Sequence, residues 1–263
     1  MTMTTNTLNV CLGHVPFPAD YARHIDLMVA PKLIASAQRL AIVDDNLFGP
    51  NGGALSEYGQ LIWILDHLGE LTPDCAFIRI FHYRRLVAAD APTVGRRSVN
   101  LPYATTIRAD ELGAFDAAFD RTTQQELFNT PIGFAGKMLG QYALDHVLED
   151  LLNFVNFLVE SRILNATEAA SFLSVQNHIP SCNIGVFSKD SYNWTFQILK
   201  AAAQFLHSRH FIPRSGSQRR SAGFLLERLH SFLIFKRIEL GASPARFGHN
   251  VVLSDDVNVS ATH

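Results

Sequence analysis

A run of apolar and basic residues at positions 77–86 carries the clearest chemical signal in the chain. Its isoleucine, phenylalanine and tyrosine residues predict a β-strand, whose side chains alternate between two faces. That alternation puts His82 and Arg84 on one face and Tyr83 and Arg85 on the other. Such polar groups suit the carboxyl end of a strand in an α/β sheet, where ligands bind. Because guanidinium groups match phosphate oxygens, the run predicts an anion site, with a solvated surface turn as the alternative.

Acidic residues follow a second predicted strand, at residues 41–43. Asp44 and Asp45 come directly after it, with Asn46 next, at a strand end that could hold a nucleotide ribose or a divalent metal ion. Because ligands bind at the carboxyl ends of such strands, we predict that one cleft is bordered by Asp44, Asp45, His82, Arg84 and Arg85. Mg²⁺ and Mn²⁺ prefer oxygen ligands, which carboxylates supply. The alternative is that one aspartate caps a turn, a common role for this residue type.

Composition limits the classes of function. The chain has 263 residues, 48% of them hydrophobic, and a formal net charge of -2. Its charge balance argues against a nucleic-acid-binding protein, which carries a basic excess or stripe. Cys11, Cys75 and Cys182 form no CxxC pair, which argues against a zinc site or a disulfide framework and for a reducing compartment. The sequence shows no transmembrane segment, and its first residues lack the pattern of a signal peptide.

Hydrophobic periodicity predicts a single α/β domain whose C-terminal half is largely helical. The predicted strands, which we expect in one sheet, are residues 8–12, 25–29, 41–43, 77–83 and 183–187, and the predicted helices are residues 31–40, 55–68, 142–164, 190–207 and 221–238. A short final strand is expected at 251–253. The domain is expected to span residues 7–258, with flexible termini at 1–6 and 259–263.

Two of the predicted helices carry polar residues of interest. In helix 142–164 an apolar stripe leaves His146 on the opposite side, so we interpret His146 as a surface residue. In helix 221–238 the adjacent residues Glu227 and Arg228 point about 100° apart, so they do not face each other. A solvated helix face is the common explanation for such a pair.

A series of sequence blocks, taken in their order along the chain, resembles a bacterial family of glycosyltransferase-like proteins. The blocks are residues 41–46, 56–65, 81–85, 141–151, 182–187 and 223–229, and the most specific are His82-Tyr83-Arg84-Arg85 and Gly223-Phe224-Leu225-Leu226-Glu227-Arg228. The family acts in capsule and O-antigen biosynthesis and is long labelled a domain of unknown function, DUF4422. The resemblance spans residues 8–238. Loop 49–53 and the helix head at 57–59 depart from the family pattern, so the chain resembles a divergent member.

The resemblance implies a GT-A-like nucleotide-sugar-binding sheet and a glycosyltransferase activity. The enzyme would move a hexose, galactofuranose in some relatives, from a nucleotide sugar, with a UDP-sugar as the favoured donor. The acceptor would be a hydroxyl group of a polysaccharide or a lipid-linked glycan, and the protein would be cytoplasmic or peripheral at the inner membrane. The alternatives are a non-catalytic relative that binds nucleotide sugars and an interaction protein that docks through its helical face.

The resemblance also implies roles for individual residues. Glu227 is the leading candidate for the base that accepts a proton, with His82 and Asp45 as further catalytic candidates. Substrate-binding residues, chiefly cations for the donor diphosphate, are expected at Asp44, Asn46, Glu57, Arg84, Arg85, Asn183, Arg220 and Arg228. Whether the enzyme uses Mn²⁺ or Mg²⁺ is left open, and no metal ligands are assigned. The reason is that the adjacent aspartates lack the spacing of the Asp-x-Asp element of GT-A enzymes.

Overall fold

The structure is a computed structural model that describes residues 6–13, 23–33, 39–44, 48–98, 101–108, 111, 118–119, 125–134, 136–241 and 245–254. The strands in these ranges are β1 (Asn6–Leu12), β2 (Leu27–Ala30), β3 (Leu40–Ile42), β4 (Cys75–His82), β5 (Arg85–Ala88), β6 (Arg96–Arg97), β7 (Ala104–Arg108), β8 (Glu126–Asn129), β9 (Ile132–Gly133), β10 (Asn177–His178), β11 (Gly185–Ser188) and β12 (Ala245–Ser254). The α-helices are α1 (Tyr58–Asp66), α2 (Leu68–Leu71), α3 (Met138–Asp145), α4 (Leu148–Glu160), α5 (Ala166–Ser174), α6 (Lys189–Ala203) and α7 (Ser221–Glu239). Short 3-10 helices cover Gly52–Leu55, Gln204–His207 and Gly216–Arg220. None of the helices in these ranges has the length and apolar content needed to cross a bilayer.

One 10-stranded sheet organises the fold, in the order β3-β2-β1-β4-β11-β8-β12-β7-β6, with β5 pairing β4 and β12. Strands β1 to β4 are parallel, and Val10 of β1 is paired with Leu27 on one side and Ile80 on the other. The chain therefore moves outward from β1 to β3 and then returns to the other side of β1. A reversal of this kind, here at the carboxyl ends of β1 and β4, is where α/β sheets bind ligands.

The sequence prediction of a single α/β domain is confirmed, and the predicted strands all lie in the main sheet, with bounds within two residues of those expected. Strands β5 to β10 were not predicted, and most are too short to show an alternating pattern. β12 begins at Ala245 rather than at residue 251. The prediction missed its first half because Arg, Gly, His and Asn there hide the apolar pattern of a strand. Asn6 is the first residue of β1 rather than part of a tail. Residues 1–5 and 255–263, and residues 34–38 of the predicted helix 31–40, lie outside the described residues.

Apolar side chains fill the space on both sides of the sheet, and the larger core contains helix α7. Buried residues of α7 run from Ser221 to Ile234 and include Arg228 and His230. All of α7 is described, and it presents no exposed apolar stripe of the kind expected for a docking face. The expectation of a solvated face around Arg228 is therefore wrong, because this helix is enclosed on nearly all sides.

The predicted helix 142–164 is instead two helices, α3 and α4, separated by His146 and Val147 in extended conformations. The break removes Leu144 from the apolar stripe and leaves it 85% exposed. It also turns α4 so that Asp150 is buried and receives hydrogen bonds from Arg214. The physical cause is tertiary, because His146 leaves the helix to contact side chains of α7.

Candidate active site

Strand β4 ends at His82, and the chain turns back at once into β5. Tyr83 and Arg84 form the turn, and His82 pairs with Arg85 across the hairpin. Opposite residues of an antiparallel pair project to the same side of a sheet, so Arg85, rather than Arg84, shares the face of His82. The Arg84 guanidinium carbon lies 5.4 Å from the centre of the Tyr83 ring. The predicted alternation is wrong beyond His82, because the strand stops there.

Glu57 faces His82 from the turn that precedes α1. Its Oε1 lies 3.6 Å from His82 Nε2, and its other oxygen accepts a hydrogen bond from the Ser56 hydroxyl. Ser56 has φ 54° and ψ -136°, a strained conformation for a residue other than glycine. Burial by itself would raise the pKa of Glu57. His82, the Ser56 hydroxyl and Arg220 outweigh that effect, so the pKa lies below its ordinary value.

Glu227 is held on three sides at the surface-facing edge of α7. Its Oε1 accepts a hydrogen bond of 3.2 Å from the Ser181 backbone N–H and lies 3.8 Å from His178 Nε2. Its Oε2 accepts a hydrogen bond of 3.2 Å from the Arg228 guanidinium. Burial opposes ionisation, but these donors and cations together lower the pKa of Glu227 to about 2. Glu227 is therefore a fixed anion at any physiological pH.

Gly223 allows the two segments that carry Glu57 and Glu227 to pack closely together. A Cβ at this position would lie 3.0 Å from both the Leu55 carbonyl oxygen and Ser56 Cβ, which is too close for an ordinary contact. Glycine therefore lets the start of α7 pack directly on the turn that carries Glu57. Glu227 follows one turn later on the same helix.

A buried polar network lies behind Glu227. The Tyr58 hydroxyl is 3.2 Å from His230 Nδ1 and 3.7 Å from Cys182 Sγ. The Cys182 thiol donates a hydrogen bond of 3.2 Å to the Glu227 carbonyl oxygen. Burial lowers the pKa of His230 to about 3, so this imidazole is neutral. The network ties α1 and the turn before β11 to the backbone of α7.

Two guanidinium groups near Glu227 each have an N–H donor that makes no hydrogen bond within the described part of the chain. Arg85 donates a hydrogen bond of 3.4 Å to the Ser181 hydroxyl, and its buried Nε has no hydrogen-bond partner among the described residues. The buried Nε of Arg228 also has no hydrogen-bond partner in the ranges that the structure describes. Burial raises the pKa of Tyr103; Glu227 adds to this rise, while Arg85 and Arg228 oppose it, so Tyr103 borders the same charges. The cluster has the capacity to bind an anion.

Asp44 lies in a separate cleft of about 420 Å³. Its lining is Pro31, Asp44, Pro50, Asn51, Gly53, Ala54, Phe211, Pro213, Arg214 and Arg219. The prediction that Asp44 shares one cleft with His82 and Arg85 is therefore wrong. The reason is the strand order, since β3 lies three strand spacings, or about 14 Å, from β4. Asp45 and Asn46 lie outside the described residues.

Within the described part of the chain, Asn183 and Arg220 make no hydrogen bond to the site, although Arg220 helps to lower the pKa of Glu57. Asn183 is half-buried in the turn before β11, rather than in the strand itself. Arg220 is exposed, with its guanidinium carbon 5.6 Å from the centre of the Phe224 ring. Among the described residues, no three His, Cys, Asp or Glu side chains are grouped closely enough to hold a metal ion.

Four residues of the site were missed by the sequence analysis or assigned elsewhere. His178 lies in the two-residue strand β10, and Tyr103 precedes β7, so neither follows a recognisable motif. Ser181 contributes its backbone N–H, which donates to Glu227, and its backbone has a φ of 50°. No residue pattern in the sequence reveals either feature. His146, which was interpreted as a surface residue, is half-buried against α7 because the predicted helix breaks there.

A solved structure shares this architecture. It is the apo form of WbbM, a bifunctional glycosyltransferase, which is similar to this chain with a TM-score of 0.68 at 14% sequence identity. The match covers 95% of this chain and 46% of that one, so this chain spans about half the length of the protein it matches. No family model matches the chain, and no curated protein matches it. The chain therefore has a glycosyltransferase-like α/β fold, while the resemblance to DUF4422 proteins stays a prediction.

Proposed function

We propose that this protein is a glycosyltransferase of the DUF4422 type that moves a hexosyl group, galactofuranose being one candidate, from a nucleotide sugar to an acceptor hydroxyl. One observation carries the proposal. Paired carboxylates, imidazoles and guanidinium groups converge at the carboxyl edge of a sheet that has a glycosyltransferase-like fold.

The chemistry of glycosyl transfer explains why such groups would be needed. The acceptor oxygen forms a bond to the anomeric carbon of the sugar, and the bond from that carbon to the diphosphate breaks. The departing nucleoside diphosphate takes the electron pair, and the acceptor proton passes to a base. Catalysis therefore requires fixed positive charge near the diphosphate and a proton acceptor near the hydroxyl.

Arg85 and Arg228 are the proposed diphosphate ligands. Both guanidinium groups lie at the site, where Arg85 contacts Ser181 and Arg228 contacts Glu227, and charge-assisted hydrogen bonds from guanidinium groups to phosphate oxygens are strong. The nucleoside would occupy the cleft that contains Asp44. Arg219 lines that cleft, and the next residue, Arg220, lies close enough to Glu57 to lower its pKa, so the two regions adjoin.

Glu57 is the proposed base, a role that the sequence analysis assigned first to Glu227. Glu57 has one imidazole and one hydroxyl as partners, whereas Glu227 is saturated by an N–H, a guanidinium and an imidazole. In this proposal His82 orients Glu57 and stabilises its charge. Glu227 holds Arg228 in place and does not exchange a proton.

The described residues do not supply a metal site, and we derive no step through Mn²⁺ or Mg²⁺. Asp44 would contribute one carboxylate, and Mg²⁺ is commonly held by one or two carboxylates together with substrate phosphates and water. The neighbouring Asp45 and Asn46 lie outside the described residues. The charge on the diphosphate is assigned to the arginines instead.

A UDP-sugar is the proposed donor, and a glycan or a lipid-linked sugar is the proposed acceptor. These substrates imply a cytoplasmic protein, held peripherally at the inner membrane where the acceptor is lipid-linked. Capsule and O-antigen polysaccharides are the corresponding products.

The experiment is a panel of UDP-, GDP- and dTDP-sugars, with transfer and hydrolysis followed by mass spectrometry and binding by calorimetry. Arg85→Ala is expected to weaken donor use about 10-fold to 150-fold, the range for one lost charged contact. Arg96→Ala is the control, because Arg96 is exposed on the edge strand β6. Absence of both binding and turnover across the panel would refute the proposal. Binding without turnover would indicate a non-catalytic nucleotide-sugar-binding protein.

A further inference from the structure

His146 links helices α3 and α4 and packs against α7. Its ring is stacked on Phe224, with ring centres 4.3 Å apart, and it also contacts Tyr142 at 4.7 Å. The break between the two helices is what brings the imidazole to this place. His146 therefore belongs to the wall behind Arg228 rather than to the outer surface.

The hydrogen bonds of His146 fix its tautomer. Arg228 approaches Nε2 at 3.4 Å, and a guanidinium can only donate, so Nε2 must be the acceptor. The proton of the neutral ring is then on Nδ1, which lies 3.3 Å from Gln218 Oε1. Gln218 is oriented for this contact because its Nε2 donates a hydrogen bond of 3.1 Å to the Asp145 carbonyl oxygen.

The guanidinium of Arg228 is thus held between two acceptors. One of its NH₂ groups faces the imidazole of His146, and the other donates to Glu227. The Tyr142 ring lies 5.8 Å from the guanidinium carbon. Loss of either acceptor would allow the planar group to rotate out of this direction.

We propose that His146 is a positioning residue: its neutral imidazole holds Arg228 toward the donor site, and protonation of His146 releases Arg228. A protonated ring has no lone pair to offer, and its charge repels the guanidinium. The site would therefore lose donor affinity as the pH falls. The effect on donor binding rests on the proposed function, whereas the contact between His146 and Arg228 does not.

The charged and titratable groups around His146 come from three elements. Helix α7 contributes Arg228 and Glu227, and helix α3 contributes Asp145 and Tyr142. The 3-10 helix Gly216–Arg220 contributes Gln218 and also Arg220, which lies over the Phe224 ring. Burial and Arg228 lower the pKa of His146 and outweigh Gln218, Asp145 and Glu227, so the neutral form dominates at pH 7.

The first test needs no donor. Nitrogen-15 NMR of histidine-labelled protein is expected to show a neutral His146 with its proton on Nδ1. Arg228→Met is expected to raise the pKa of His146, because the neighbouring positive charge is removed. A proton on Nε2, or a pKa of His146 that does not change in Arg228→Met, would overturn the proposal.

The second test uses two complementary variants and donor binding by calorimetry. His146→Phe keeps the stack on Phe224 but offers no acceptor, and it is expected to weaken UDP-sugar binding about 10-fold at pH 7. His146→Gln offers an acceptor that does not titrate, so it is expected to restore binding to within about threefold of the wild-type protein. It is also expected to abolish the loss of affinity that accompanies protonation of His146 as the pH falls below 6.5. Equal losses in both variants would contradict the positioning role. If no donor binds the wild-type protein, the proposed function fails, and the NMR result alone decides whether His146 holds Arg228.

Discussion

Two glutamates border the candidate site, and each exposes 26% of its side chain, yet their surroundings differ. Glu57 lies at the head of α1, with the imidazole of His82 on one oxygen and a hydroxyl on the other. Glu227 lies on a helix that is enclosed along most of its length, and three groups from different segments converge on it. Glu57 thus has one side-chain partner on each oxygen, whereas Glu227 is held by three donors.

Equal exposure therefore does not mean equal readiness to accept a proton. A carboxylate whose pKa is about 2 is strongly stabilised as an anion and is a weak base at neutral pH. Such a group is suited to holding cations in place. Glu57, with fewer donors, is better suited to taking a proton, and each of the following experiments tests this division of roles.

The largest expected effect follows from Glu57→Gln. Removal of the proton acceptor should lower kcat about 10²- to 10⁴-fold and leave the Kd for the donor nearly unchanged. The measurement combines steady-state transfer assays with calorimetry. Glu70→Gln, on the exposed part of α2, is the matched control and should behave like the wild-type protein. If Glu227→Gln lost more turnover than Glu57→Gln at equal stability, the two roles would be reversed.

Glu227→Gln is expected to lower the free energy of unfolding at pH 7. The pKa of Glu227 falls from 4.5 to about 2 on folding, so its ionised form contributes stability above pH 4.5 that is lost as the pH falls toward 2. A shift of this size corresponds to about 3 kcal/mol. Urea unfolding across this pH range should show a steep acid decline in the wild-type protein and a flatter one in Glu227→Gln. Identical profiles would mean that the ion pairs of Glu227 contribute nothing to stability.

His230 should produce a separate loss of stability at higher pH. Above pH 6.5 it is neutral in both the folded and the unfolded chain. As the pH falls toward 3, the unfolded chain takes up a proton that the buried ring does not accept, because burial lowers its pKa to about 3. Between pH 6.5 and pH 5 this difference costs about 2 kcal/mol. His230→Asn should remove the decline in that interval and leave the decline below pH 4.5, which would separate the contributions of the two α7 residues.

Gly223→Ala should produce the smallest effect. The added methyl group would meet the Leu55 carbonyl oxygen at 3.0 Å and push the start of α7 away from the turn that carries Glu57. We expect a loss of about 1–2 kcal/mol in unfolding free energy and a fall in kcat, because the relative position of the two acids changes. Gly140→Ala in α3 is the control, since nothing lies within 4 Å of the added carbon. It should leave stability unchanged or raise it by about 0.5–1 kcal/mol. Equal losses in the two variants would show that the close approach of α7 is unimportant.

Local sequence patterns were sufficient for strands β1 to β4 and β11, but not for the rest of the sheet or for the site. Apolar runs such as Cys75–His82 identify strands because burial on both faces requires continuous hydrophobic residues. The hairpin after His82 was missed because Tyr83 and Arg84 carry none of the usual turn residues. The division of helix 142–164 was missed for a similar reason, since neither proline nor glycine marks the break at His146.

The residues that surround Glu227 could not be predicted from spacing at all. His178 and Ser181 come from a short ribbon and a turn far from Glu227 in the chain, and only the tertiary fold brings them together. The blocks noted by resemblance did include Glu57, Arg85, Glu227 and Arg228. They included these residues, but the contact of Glu57 with His82 depends on how the turn before α1 packs against the end of β4. Glu227 and Arg228 were predicted not to face each other, yet their side chains form a hydrogen bond of 3.2 Å.

Of the three non-glycine residues with positive φ in the described part of the chain, two adjoin the acids: Ser56 precedes Glu57, and Ser181 donates its N–H to Glu227. Strain of this kind costs about 1–3 kcal/mol per residue, and glycine would relieve it. Selection for heat resistance would therefore favour glycine at these two positions. The same replacements would loosen the segments that aim the two carboxylates, so in this protein thermal robustness and catalytic competence are expected to compete at the same pair of serines.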